Sequence, residues 1–140
     1  MATRLEFQQM AYDRLNEAEV LYQAKHYNGS HYLAGYAAEF ALKAAICRAM
    51  DIEMFDTAEV LNQVSKPLKI HNLKTLLVYS GLFRRLQTDR LADLELDKAW
   101  SIVSAWTEER RYEAQACSSP TANRFLKAVE VFLQWIKKDW

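Results

Sequence analysis

The chain has 140 residues, with 18 basic and 18 acidic side chains and a formal net charge of zero at pH 7. That balance excludes a global positive field able to hold a nucleic-acid backbone by electrostatics alone, so any nucleic-acid contact must be local. Three glycines and two prolines are too few for a fold of many turns, which leaves helices joined by short connections. The expectation is an all-α chain, one domain over residues 1–140, long enough for a core without staples.

Thr3-Arg4-Leu5-Glu6 has the spacing of a capping box, in which the Thr hydroxyl and the Glu carboxylate each satisfy an orphan amide. A helix follows to about Lys25, with Leu5, Ala11, Leu15, Ala18, Leu21 and Tyr22 on one face. His26-Tyr27-Asn28-Gly29-Ser30 supplies a turn. The next helix, from Tyr32 to about Met50, has almost no polar side, because its only charged side chains before Cys47 are Glu39 and Lys43. Such a helix has to be covered all round, and it is the expected hub of the fold. Two long helices joined by a few residues pack antiparallel. Gly35 in mid-helix costs about 1 kcal/mol relative to Ala, so a close contact should justify it, with a helix of the same bundle or of a second subunit.

A short helix is expected from Asp56 to Ser65, stopped by Pro67. Another opens at His71-Asn72-Leu73, capped by Asn72 or His71, and closes on Gly81. Leu82 to Asp93 reads as one short helix. A longer one starts near Asp93, carries Leu94, Ala99, Trp100, Ile102, Val103 and Trp106, and ends around Tyr112 after the charged run Glu108-Glu109-Arg110-Arg111. In Ser118-Ser119-Pro120, Ser119 is the expected cap with Pro120 at the first helical position. The last helix should bury Phe125, Leu126, Val129, Phe132, Leu133 and Ile136, and it places Lys137 and Lys138 in its final turn, where the macrodipole favours cations. The sum is an up-and-down bundle of four to five helices, two antiparallel pairs with a short extra helix.

Cys47 and Cys117 have no paired spacing and the N-terminus has no basic-then-apolar segment, which points to a reducing cytoplasm with Cys47 as core filler. The longest apolar stretch, broken by Glu39 and Lys43, falls short of the roughly 18 apolar residues of a membrane span. No His or Cys spacing suits a metal and no Gly-rich phosphate loop exists, so neither metal nor cofactor is expected.

Arg110 and Arg111 are a candidate phosphate clamp, with Tyr112 as a stacking face. Against this, Glu108 stands three residues before Arg111 and can pair with it, which would make the run a solvated helix end. His71 can polarise a ligand or simply cap and pack its helix. Glu39 and Lys43, spaced i,i+4, can face a ligand cleft or form a structural charge pair within the bundle, with Arg111 reaching Glu39. Trp100, Trp106, Trp135 and Trp140 read as core or dimer surface ahead of nucleobase platform.

Three elements stand in order: Tyr32-Leu33-Ala34-Gly35-Tyr36-Ala37-x-Glu39-x-Ala41-Leu42-Lys43-Ala44, then His71-Asn72-Leu73 opening a helix that closes on Ser80-Gly81-Leu82, then Trp106-x-x-Glu109-x-Arg111-Tyr112. Together they resemble the HEPN family (higher eukaryotes and prokaryotes nucleotide-binding), over nearly the whole chain. The resemblance implies a helical bundle of the type found in nucleotidyltransferase substrate-binding subunits. Its catalytic members are ribonucleases or adenylylation-regulated toxins with an Arg followed four to six residues later by His, for phosphate binding and proton transfer. Here His occurs only at 26, 31 and 71, none with an Arg at that distance before it, and the stretch from Arg110 to Ser118 has no His. The chain therefore resembles the non-nuclease branch. The implied function is a non-catalytic homodimeric module that binds nucleotide or substrate beside a minimal nucleotidyltransferase, a toxin–antitoxin-like pair, with nucleotide or RNA as ligand. In the family the groove between subunits holds the site of catalytic members, which Arg110, Arg111 and Tyr112 would approach here. The alternative is a metal-independent ribonuclease toxin using Arg110 or Arg111 with Tyr112 or His71 as substitute base.

Overall fold

The computed structural model describes residues 2–52, 69–112 and 114–140, with Arg111 described by its backbone alone. The helix expected from Asp56 to Ser65 lies outside the described residues. Within them are six α-helices, α1 (Arg4–Gln23), α2 (Tyr27–Ala49), α3 (Leu73–Tyr79), α4 (Phe83–Ala92), α5 (Leu94–Val103) and α6 (Ser119–Ile136). Two 3-10 segments, Glu108–Tyr112 and Lys137–Asp139, complete the described elements.

The capping box forms: Glu6 N–H donates to Thr3 Oγ1 at 3.1 Å and Thr3 N–H to Glu6 Oε2 at 2.7 Å. The connection to α2 is tighter than the sequence suggests. Lys25 takes a left-handed φ of 65° and α2 begins at Tyr27, so Asn28, Gly29 and Ser30 are helical and do not form the expected turn. The buried Ser30 hydroxyl donates to Ala18 O at 2.7 Å, and a Cβ on Gly29 would stand 3.2 Å from Leu21 Cδ1. Small residues at this corner let the two helices close on each other, and α1 lies along α2 in the most extensive pairing of the fold.

Helix α2 is the centre. Besides α1 it packs against α6, α3 and the Glu108–Tyr112 turn, and α5 lies on α6. Every residue from Ala41 to Cys47 is buried, as are Ala34, Gly35, Ala37 and Ala38. Full burial of side chains such as Leu42, Ile46 and Phe132 contributes about 1.5–3 kcal/mol each. The chain thus covers its own hub, and Trp140, which reads as core or dimer surface, is buried within the chain.

Asn72, not His71, caps α3, its Oδ1 accepting from Thr75 N–H at 2.9 Å. Asp93 Oδ1 caps α5 through Leu96 N–H at 3.1 Å. Ser118, one residue earlier than expected, caps α6 through Thr121 N–H at 3.3 Å. Helix α4 is tied to the C-terminal segment by Arg85, which pairs with Asp139, and by Trp135 Nε1, which donates to Asp89 Oδ2 at 2.8 Å. Lys137 and Lys138 lie in the final 3-10 segment, and the Lys138 carbonyl accepts from Arg48 Nη1 at 2.6 Å.

Candidate functional site

The site is built by the early end of α5. Its apolar pattern predicts a helix to Tyr112, but the helix stops at Val103, where Ser104 N–H closes on Trp100 O at 2.8 Å. The reason is Trp106. Its indole, 3% exposed, lies flat against α2 at Gly35, where an added Cβ would overlap ring atoms Cε2 and Nε1. Tyr36 completes the seat with an edge-on ring contact at 5.1 Å. The contact that Gly35 serves is therefore an indole of the same chain, not a neighbouring helix. Continuing α5 would carry Trp106 away from this seat, and the Glu108–Tyr112 turn follows, with Arg110 N–H bonded to Thr107 O at 3.2 Å.

Arg110 borders a pocket of about 350 Å³ between α2, the end of α5 and the start of α6. Ile102, Ala105, Trp106 and Phe125 form its apolar wall, and His31, Arg110, Thr121 and Arg124 its polar one. Among the described residues no carboxylate lines it, although the whole chain is neutral. Neither Arg110 nor Arg124 has an ion-pair partner among the described residues. Arg124 Nη2 donates to Thr121 Oγ1 at 3.4 Å. His31 stacks on Phe125 with ring centroids 4.0 Å apart. Burial first, and the Arg110 charge second, lower its pKa to about 4, so the imidazole is neutral at pH 7. Its Nδ1 is sealed from solvent with no hydrogen-bond partner among the described residues.

A second polar cluster lies on another face of α2. Glu39, 1% exposed, accepts from Lys43 Nζ at 3.1 Å through Oε2, and its Oε1 lies 2.8 Å from His71 Nδ1. His71 Nε2 in turn lies 3.0 Å from Glu108 Oε2. The imidazole thus bridges α2 and the Glu108–Tyr112 turn, with a carboxylate on each nitrogen. Tyr36 stands beside it, and burial first, then its hydrogen-bonded contact with Tyr32 and the Glu39 and Glu108 charges, hold its phenol above the ordinary tyrosine range.

A family model described as HEPN domain matches residues 6–140. The chain belongs to the HEPN domain family. No curated protein and no solved structure matches it. HEPN membership agrees with the all-helical architecture and is consistent with a module that binds nucleotide or RNA. No helix among the described residues is long and apolar enough to cross a membrane.

On this HEPN scaffold the residues singled out from sequence fall into separate places. Arg110 borders the acid-free pocket, and Tyr112, exposed, shares with it a shallower polar depression that also includes Glu109 and Thr107. The side chain of Arg111 lies outside the described residues. His71 is absent from the pocket lining and is held between Glu39 and Glu108. Glu39 and Lys43 pair with each other on the hub helix. Sequence reasoning missed His31 and Arg124. Both stand in the second turns of their helices, α2 and α6, and the tertiary packing brings those two turns to the same end of the bundle.

Proposed function

We propose that the chain is a non-catalytic nucleotide-binding module, one helical domain that works as a homodimer beside a small nucleotidyltransferase, as in a toxin–antitoxin-like pair in the cytoplasm. The observation that carries the reading is the Arg110 pocket: two guanidinium groups on a concave surface with an aromatic wall and no carboxylate among the described residues. Guanidinium matches phosphate geometry, and aromatic rings supply faces for a base. Proton transfer near neutral pH needs a group that titrates there. His31, the imidazole in the pocket, is held near 4, which favours binding over catalysis there. A thermal-shift series with nucleoside mono-, di- and triphosphates tests the ligand. Stabilisation that Arg110→Ala abolishes supports it, and no shift with any nucleotide overturns it. Affinity capture tests the partner: recovery of the chain alone removes the nucleotidyltransferase.

The ribonuclease alternative keeps one observation in its favour, since Arg110 and His31 share a pocket. Total RNA incubated with the protein decides it. Cleavage lost in Arg110→Ala would replace the non-catalytic reading with an enzymatic one.

A further inference from the structure

The pocket contains more than a positive patch. His31 is 8% exposed, lies in its wall, and has a sealed, unpartnered Nδ1. Nε2 is the nitrogen left to meet a ligand, and in the neutral ring the tautomer with hydrogen on Nε2 presents a donor. Arg110 arrives from the 3-10 turn and Arg124 from α6, so donors converge from three separate elements. Thr121 places the first turn of the 18-residue α6, the positive end of its dipole, on the same wall. Among the described residues every polar side chain brought here offers a donor or a hydroxyl, which selects an anion with several acceptor oxygens.

Size narrows the class. A lone phosphate occupies only a small part of about 350 Å³, and the remaining wall of Ile102, Trp106 and Phe125 is apolar. We propose that this pocket is a phosphomonoester site, where Arg110, Arg124 and His31 hold the terminal phosphate of a nucleotide and the apolar wall takes the attached flat group. The inference rests on the nucleotide-binding reading and adds to it which end of the ligand is read and by which residues. Arg124 and His31 become specificity-determining residues. A nucleoside lacks the group they hold, and a cyclic phosphodiester carries one negative charge where the monoester carries nearly two at pH 7.

Calorimetric titration of the full chain with adenosine 5′-monophosphate, adenosine, 3′,5′-cyclic adenosine monophosphate and inorganic phosphate tests this. The monophosphate is expected to bind at least tenfold more tightly than the nucleoside or the cyclic diester. Arg124→Ala and His31→Phe should each weaken it at least tenfold, while His31→Gln, which retains an N–H donor, should stay within about threefold of the parent. Arg124 is exposed, so its variant keeps the fold and carries the test if His31→Phe does not. Monophosphate binding unchanged by Arg124→Ala overturns the site and leaves nucleotide binding standing. Equal affinity for nucleoside and monophosphate overturns the terminal-phosphate reading. Inorganic phosphate bound through Arg124 without any nucleotide binding keeps the anion site and removes the nucleotide, and silence with every probe removes both.

Discussion

At the scale of single residues, Gly35 and His31 show how one position can set the geometry of a site. Gly35→Ala gains about 1 kcal/mol of helix propensity. It also drives a methyl group into the Trp106 ring, which Tyr36 holds on that seat. Overpacking of a tight contact typically costs about 1–3 kcal/mol, so after the propensity gain the variant is expected to lose up to about 2 kcal/mol net by urea midpoint. Trp106→Leu, which vacates the seat, should turn Gly35→Ala stabilising on that background, by up to about 1 kcal/mol. His31 carries the pH dependence. Its folded pKa near 4 lies below the ordinary 6.5, so the unfolded chain binds more protons between those values. The stabilisation is complete above 6.5 and is lost as pH falls from 6.5 towards 4. Between pH 7 and pH 4.5 the parent is expected to lose about 2 kcal/mol more than His31→Phe; equal losses would show that the imidazole is not held neutral.

At the scale of elements, Glu39 is the joint. It faces Lys43 on its own helix, and through His71 and then Glu108 it reaches the segment before α3 and the turn that carries Arg110. Lys43 is itself 8% exposed, so Glu39→Ala leaves a cation buried without its carboxylate, expected to cost about 3 kcal/mol or more. Glu39→Gln retains an acceptor for Lys43 and should cost clearly less. Equal, negligible shifts of the urea midpoint for both would show that the joint carries no load. What the sequence made legible follows the same boundary between local and distant causes. The Thr3 to Glu6 box and the Asn72 cap are contacts within three residues, and the spacing alone specifies them. The end of α5 is set by Trp106 docking on Gly35 some seventy positions away, while the local apolar spacing continues past it. The pocket is hidden for the same reason. His31 and Arg124 are unremarkable in their own helices and become a site only when α2 and α6 pack.

At the scale of the whole molecule, the apolar surface divides between a covered centre and exposed helix ends. The hub helix and Trp140 are covered by the chain itself. The apolar side chains left in solvent include Val78, Tyr79, Phe83, Leu91 and Leu94, all at the ends of α3, α4 and α5. Leu91 is 91% exposed and Leu94 67%, one on each side of the Asp93 cap. A two-fold axis beside this corner would bury both pairs at once, and such isologous contacts are the commonest route to a dimer. If the proposed homodimer uses this corner, sedimentation equilibrium at micromolar concentration should give twice the chain mass of 16.3 kDa. The double change Leu91→Glu and Leu94→Glu should return it to the single-chain mass. Exposed positions tolerate such changes within about 0.5 kcal/mol, so the thermal midpoint of the dissociated chain reports the fold separately from the assembly. A parent chain that sediments at 16.3 kDa would remove the homodimer and the groove between subunits, while the pocket of His31, Arg110 and Arg124, formed within one chain, would stand.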